Sequence, residues 1–178
     1  MIDNIHEYGE PEEKRYLESG EQTRVAEYIE SLAEKIRKMQ GDTLQNLLGE
    51  VKNITYDAKN KTAVFRKRTS EQILSDGFAT GCTDRALVFI ATARALGIPA
   101  KYVETVDKKW IENKTNSVTG HVYAKVFWGG EWTVIDPEKG TIGVDINNDK
   151  RVVFKEGFDS WDIGINDFES LKKSIIRM

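Results

Sequence analysis

The sequence is poor in the residues that build disulfides, metal clusters and nucleotide sites. Its 178 residues include one cysteine, Cys82, and two histidines, His6 and His121. A single cysteine cannot close an internal disulfide, and it excludes the thiolate-rich sites that hold zinc or iron–sulfur clusters. A histidine-rich metal site is also disfavoured, and the sequence has no glycine-rich phosphate loop. We therefore expect no cofactor and no metal.

Charge of one sign and long apolar runs are also lacking. Acids number 29 and bases 26, a net charge of −3, which gives none of the basic stripe that nucleic-acid binding requires. No apolar run approaches the roughly 20 residues of a membrane span, and the first residues do not resemble a signal peptide. These absences predict a cytoplasmic protein that binds neither nucleic acid nor membrane, although a chain trimmed of a leader looks the same.

The length and the apolar pattern predict a single domain. A chain of this size buries roughly 70% of the surface that it exposes when unfolded, so it needs no disulfide or metal to fold. Apolar residues spaced three and four positions apart predict two amphipathic helices, over 21–39 and 43–54. His6, near the start of the chain, is expected to be inert. Along residues 1–178 we expect a loose arm (1–20), a helical part (21–56), a central core (57–140) and a C-terminal strand and helix (141–178).

One predicted helix is apolar on nearly every side. It covers 82–96, and a helix without a polar face belongs inside a domain. Before it, residues 57–81 show little periodicity and are expected to be mostly loop. After it, 120–128 and 131–136 alternate between apolar and polar residues on either side of two glycines, which predicts a β-hairpin with a two-residue turn.

The predicted hairpin brings a histidine close to an acid. With a two-residue turn, Tyr123 pairs with Asp136, and His121 pairs with Glu138. Because side chains alternate along a strand, His121 and Asp136 share one face as diagonal neighbours, with Cα atoms about 7–8 Å apart. A one-residue bulge would place them on opposite faces. A carboxylate bonded to one imidazole nitrogen fixes the tautomer and leaves the other nitrogen free to take a proton.

The lone cysteine has a distinctive position. Cys82 follows Gly81 and opens the buried helix, where unpaired N–H groups and the helix dipole stabilise a thiolate. The same N–H groups can point at the oxyanion of a tetrahedral intermediate. The alternative interpretation of Cys82 is a small buried core residue. Asp84, in the first turn, complements the dipole and is interpreted first as structural and second as facing a substrate.

Four segments together resemble the transglutaminase-like superfamily, over about residues 50–140. The resemblance implies an α+β fold with a papain-like core, in which a buried helix carrying the cysteine packs on an antiparallel sheet, here with extra N-terminal helices. It implies Cys82 as nucleophile, His121 as general base and acid, and Asp136 as the carboxylate that orients the histidine. The segments are 80–86 (TGCTDRA), 93–103 (ARALGIPAKYV), 120–126 (GHVYAKV) and 132–137 (WTVIDP).

The resemblance implies a thiol enzyme that transfers acyl groups from amide or peptide bonds through a thioester. The expected substrate is a protein or peptide. Water as the acceptor gives a peptidase or amidase, and an amine gives a transglutaminase; for a small domain we favour hydrolysis. The alternative is an inactive binding or scaffold domain that retains the fold. The residues leave the oligomeric state open.

Two features depart from related patterns. Papain-like enzymes carry an oxyanion-binding glutamine six residues before the nucleophile, where this sequence has Asp76; Tyr56 is a candidate substitute. Residues 145–150 with Glu156 have partial calcium-loop spacing, but Lys150 stands where such a loop needs glycine. We expect a polar turn before a strand there, without calcium.

The four tryptophans could line an aromatic groove, but packing in the core or across the hairpin is the more frequent role of such residues. Trp110 lies in a polar stretch, 107–119, and is therefore expected to be the most exposed of them. The tryptophans are Trp110, Trp128, Trp132 and Trp161.

Overall fold

Helices predominate in the first half of the chain and strands in the second, in a computed structural model that describes residues 11–113 and 118–177. His6 lies outside these residues. The helices are α1 (Pro11–Arg15), α2 (Glu27–Arg37), α3 (Thr43–Lys52), α4 (Lys61–Val64), α5 (Ser70–Asp76), α6 (Cys82–Ala95), α7 (Lys108–Asn113) and α8 (Phe168–Ile176). The strands are β1 (Thr55–Tyr56), β2 (Phe78–Ala79), β3 (Ala100–Asp107), β4 (Gly120–Trp128), β5 (Glu131–Asp136), β6 (Thr141–Ile142) and β7 (Arg151–Gly157).

The main sheet has five strands in the order β6-β5-β4-β3-β7. Each neighbouring pair is antiparallel, and β4 is the middle strand, paired on both sides. Strands β1 and β2 form a separate, short parallel pair. The histidine-bearing strand is therefore held along both edges by backbone hydrogen bonds, which fixes the direction of its side chains.

The cysteine-bearing helix α6 lies between the sheet and the N-terminal helices. All residues from Thr83 to Arg94 are buried. On one side α6 packs against β3 and β4, and on the other it packs against α2, α3 and α5. Since an α-helix covered on every side needs an apolar surface all round, the prediction of a buried helix beginning at Cys82 is confirmed.

The two predicted N-terminal helices are present, but the first begins later than expected. Helix α2 starts at Glu27 rather than at residue 21. The backbone N–H groups of Gln22 and Thr23 donate to Oδ2 of the buried Asp159, at 2.9 and 3.2 Å. These bonds to a distant side chain hold the backbone outside the helix, and periodicity within one segment cannot reveal them.

The expected loose arm is wrong for residues 11–20. They contain α1, and the side chain of Glu12 accepts a hydrogen bond from Lys101. The carbonyl of Tyr16 accepts from the backbone N–H of Ala100, at 3.1 Å, and from Nε of Arg94, at 3.1 Å. This segment is thus docked beside the start of β3.

The interpretation of Trp110 as exposed is also wrong. It lies on α7, is 5% exposed and belongs to the main apolar core. The polar residues around it face outwards from a single helical turn, so the composition of the segment hid a buried ring. The expected loop over 57–81 is partly replaced by α5, which a capping box between Thr69 and Gln72 begins.

Within the described residues, no helix combines the length and the apolar character that crossing a bilayer requires. The segment with partial calcium-loop spacing is a turn that leads into β7, as expected. The carboxylate of Glu156 accepts a hydrogen bond from Lys125 instead of joining that turn.

Candidate active site

The hairpin formed by β4 and β5 has the predicted register. Trp128 lies opposite Glu131, and Ala124 lies opposite Ile135. His121 and Asp136 consequently share a face, and Nε2 of the histidine lies 2.9 Å from Oδ2 of the aspartate. The two residues that the alternation of side chains placed together are in direct hydrogen-bond contact.

Asp136 is completely buried. Its Oδ1 accepts from the backbone N–H groups of Glu138 and Lys139, both at 3.0 Å. Burial opposes the charged form, but the hydrogen bond to His121 and these backbone bonds outweigh it and lower the pKa of Asp136. The side chain is therefore a carboxylate with a fixed orientation.

Cys82 is the first residue of α6, and the residue before it has an unusual backbone conformation. Gly81, the N-cap, has φ of 146° and ψ of −159°, a region that favours glycine. The chain turns there so that Cys82 faces the hairpin. The N–H groups of the first helical turn have no acceptor within the helix, so they can bind an anion beside the sulfur.

The sulfur lies beside the histidine. Sγ of Cys82, a ring nitrogen of His121 and a carboxylate oxygen of Glu138 all lie within 4.8 Å of one another. Because Nε2 of His121 is bonded to Asp136, Nδ1 is the nitrogen left for the sulfur. The structure thus brings together the three residues that the sequence singled out, Cys82, His121 and Asp136.

His121 is held in its charged form at neutral pH. Burial opposes that charge, but hydrogen bonds to Asp136 and Cys82 outweigh it and raise the pKa of His121 to about 9. The ring of Tyr123 stands edge-on to the imidazole, with centroids 4.7 Å apart. A buried, oriented imidazolium beside a thiol can stabilise a thiolate and later give up its proton.

A cavity of about 140 Å³ opens beside the sulfur and the imidazole. Helix α8, distant in sequence, forms one wall, and the ring of Phe168 stacks on Phe65 with centroids 3.8 Å apart. Polar groups at this cavity include the ion pair of Arg66 and Glu104. The apolar residues lining it are Phe65, Val118, Val122, Phe168, Leu171 and Ile175.

A family model of the transglutaminase-like superfamily matches residues 25–137. The chain belongs to this superfamily. The matched region holds Cys82, His121 and Asp136, together with α2 to α6 and the β4–β5 hairpin.

Among solved structures, this transglutaminase-like chain is similar to a "putative cysteine protease" from Cytophaga hutchinsonii. The two chains are 20% identical and superpose with a TM-score of 0.64. The match covers 88% of this chain and 50% of the other, so this chain spans about half the length of that protein. The likeness supports the papain-like fold. No curated protein matches the chain.

Glu138 is a second acid beside His121 that the sequence did not predict as a site residue. Oε2 of Glu138 lies 3.6 Å from Nδ1 of His121, on the side opposite Asp136, and Oε1 lies 3.9 Å from Arg85. The predicted register paired Glu138 with His121, which was a usable signal.

The candidate oxyanion donor Tyr56 does not reach the cavity, and neither does Asp76, which stands where papain-like enzymes carry the glutamine. Asp76 accepts a hydrogen bond from Arg68, at 2.9 Å, and Tyr56 is 54% exposed on β1. Neither is among the described residues that line the cavity. Asp84 is structural, as first interpreted: its buried Oδ2 accepts from Thr80 and Arg68.

The tryptophans do not form a groove. Beyond the buried Trp110, Trp132 packs edge-on against Tyr16, and Nε1 of Trp161 donates to the carbonyl of Arg66 at 2.6 Å. Trp128 is 41% exposed at the end of the hairpin. Packing, the favoured interpretation, therefore holds for Trp110 and Trp132 but not for the exposed Trp128.

Proposed function

We propose that the protein is a cysteine-dependent acyl-transfer enzyme acting on amide or peptide bonds of a protein or peptide substrate. The observation that carries the proposal is the contact chain from the sulfur of Cys82 through His121 to Asp136. Membership of the transglutaminase-like superfamily supports it. Three positions support the proposed roles: Cys82 at a helix N-terminus suits a nucleophile, His121 beside it suits a base, and the buried Asp136 suits the carboxylate that orients the base.

The first step forms a thioester. The thiolate of Cys82 attacks the carbonyl carbon, and the oxygen becomes an oxyanion beside the N–H groups that begin α6. When the tetrahedral intermediate collapses, the carbon–nitrogen bond breaks and the imidazolium of His121 gives its proton to the departing amine. The acyl group then remains on sulfur, and His121 is neutral.

The second step releases the acyl group. A water molecule loses a proton to His121 as its oxygen attacks the thioester, and the carbon–sulfur bond breaks to return the thiolate and release a carboxylic acid. An amine as acceptor would give a new amide instead. We favour water, because the domain is small and because the Cytophaga hutchinsonii protein of similar fold is described as a "putative cysteine protease".

The test is to trap the thioester by mass spectrometry. The chain is incubated with peptide libraries, including glutamine-containing peptides, quenched in acid and digested. We expect an acyl adduct on the peptide that contains Cys82, and none after Cys82→Ala. Full activity of Cys82→Ala on a true substrate would contradict the assignment of the nucleophile.

A second candidate is a binding or scaffold domain without turnover. The engagement of Asp76 with Arg68, away from the cavity, favours it because the side-chain donor of papain-like enzymes has no equivalent at that position. Alkylation by iodoacetamide at graded pH separates the two. An enzyme thiol reacts at pH 6 far faster than a free cysteine, whereas a scaffold cysteine reacts no faster than a free one.

A further inference from the structure

We propose that Cys82, His121 and Glu138 together bind a zinc ion that reversibly blocks the site. The ion is an inhibitory ligand and not a resident cofactor. The binding itself rests on the positions of three side chains, and only its inhibitory consequence rests on the proposed function.

The three ligand atoms already converge. They lie within 4.8 Å of one another, and Nδ1 of His121 is 3.6 Å from Oε2 of Glu138. Zinc bonds of about 2.0 Å to nitrogen and oxygen place such atoms about 3.3 Å apart in a tetrahedron. The imidazole and the carboxylate are thus within a few tenths of an ångström of that spacing, and small rotations bring the sulfur in.

The histidine is prepared for a metal by the acid behind it. A histidine that binds zinc almost always donates its other ring N–H to a carboxylate, a backbone carbonyl or water, which fixes the tautomer and orients the ring. Asp136 accepts such a bond from Nε2 of His121, at 2.9 Å, and its own carboxylate also accepts from two backbone N–H groups. Nδ1 is therefore the nitrogen that can bind a metal, which displaces its proton.

Glu138 has an oxygen to spare. Its Oε1 is the atom near Arg85, at 3.9 Å, whereas Oε2 faces the histidine. The side chain of Glu138 is 33% exposed, so it has room to rotate towards the ion. Two acidic ligands, the thiolate and this carboxylate, match the double charge of the ion.

The donor set selects zinc over the common hard cations. Sulfur and imidazole nitrogen suit Zn²⁺, whereas Ca²⁺ and Mg²⁺ require oxygen ligands. Three protein ligands leave the fourth position to water from the adjoining cavity. Zinc would occupy the sulfur and Nδ1 together, the two atoms that the proposed acyl transfer uses, so binding and turnover exclude each other.

The experiment measures binding on the metal-free full chain, without substrate. Zn²⁺ is titrated in competition with a chromogenic chelator, and Co²⁺ is used as a spectroscopic probe. We expect a thiolate-to-cobalt charge-transfer band that Cys82→Ala abolishes. Glu138→Gln should weaken zinc binding about 100-fold and Asp136→Asn about tenfold. The matched control, Glu131→Gln at the exposed start of β5, should leave zinc binding unchanged.

Equal zinc affinity of Glu138→Gln and the parent chain would overturn the proposal. So would rapid alkylation of Cys82 by iodoacetamide in saturating zinc. If Glu138→Gln does not fold, the cobalt band and zinc protection of the parent chain decide. Zinc binding with no trapped thioester supports the metal site and contradicts the proposed enzyme. A trapped thioester without zinc protection of Cys82 supports the proposed enzyme and contradicts the metal site.

Discussion

Two buried acid–base pairs contribute side chains to the lining of the same cavity, and their hydrogen bonds differ. In the pair of Arg66 and Glu104, both terminal nitrogens of the guanidinium donate to the two carboxylate oxygens, at 2.7 and 2.9 Å. In the pair of His121 and Asp136, a single bond joins Nε2 to Oδ2, at 2.9 Å. All four side chains are less than one tenth exposed.

The difference separates a structural pair from a chemical one. Arg66 also donates to the hydroxyl of Tyr102, and its backbone carbonyl accepts from Trp161. The first pair therefore links the lining of the cavity to the core. The second pair leaves Nδ1 of His121 facing Cys82. A guanidinium does not give up its proton in proteins, so the first pair can only stabilise the fold, whereas an imidazole with a second nitrogen beside the sulfur can carry and release a proton.

The largest expected effect falls on the chemical pair. Asp136→Asn should lower kcat/KM by about 10⁴-fold, because the amide permits the wrong imidazole tautomer. That loss corresponds to about 5 kcal/mol in the activation barrier. The free energy of unfolding should fall by only about 1–2 kcal/mol, since His121 can lose its proton and become neutral. Steady-state kinetics and urea denaturation of the same samples measure both, and a larger loss of stability than of catalysis would reverse the comparison.

The structural pair should show the opposite pattern. Arg66→Met leaves the carboxylate of Glu104 buried without its cation, which costs about 3–5 kcal/mol of stability. Protonation of Glu104 would not make up for the lost cation, because the buried carboxyl group is poorly solvated whether it is charged or neutral. Adding Glu104→Leu should recover part of the loss. Urea denaturation of the single and double variants provides the measurement, and a loss below about 1 kcal/mol would show that the pair is dispensable.

A change of pH should act on the second pair alone. The pKa of His121 is raised from 6.5 to about 9. The stability that this contributes is therefore fully present below pH 6.5 and is lost as pH rises through about 9. Activity should fall about tenfold per pH unit above 9, because the departing amine then finds no proton on His121.

Rate profiles and denaturation curves between pH 6 and 10.5 test this dependence. Asp136→Asn serves as the comparison, since losing the carboxylate should move the alkaline limb to lower pH. A limb of the parent chain at the ordinary histidine pKa of about 6.5 would contradict the assignment.

The smallest effect concerns Gly81, the residue directly before Cys82. Gly81 has φ of 146°, and a Cβ there would make only ordinary contacts, at 3.8 Å, with Glu138 and Lys61. Gly81→Ala should therefore cost about 1–2 kcal/mol through backbone strain alone, and slow the alkylation of Cys82. Gly49→Ala, inside α3 with nothing within 4 Å, should stabilise by about 0.5–1 kcal/mol. Thermal melts compare the two.

The parts predicted from the sequence are those fixed by local periodicity. The buried helix beginning at Cys82 follows from an apolar pattern on every side, and the hairpin register follows from two adjoining glycines. The contact of His121 with Asp136 was within reach because both residues lie on one hairpin. Its geometry needs only strand alternation and a turn of known length.

The parts that were missed depend on distant residues. Helix α2 starts late because Asp159, far along the chain, binds the backbone before it. Trp110 is buried because α7 folds onto the core, and one cavity wall comes from α8. Each is a long-range contact whose partner leaves no mark on the neighbouring sequence, so patterns within a segment cannot predict it.

The enclosure of α6 has a consequence for how small this domain can be made. The helix packs on the sheet with one side and on α2, α3 and α5 with the other. A minimal version reduced to the sheet and the cysteine helix would present bare apolar side chains to water. It would associate with itself before it could accept a substrate. The N-terminal helices are therefore as necessary for an accessible Cys82 sulfur as the residues that contact it.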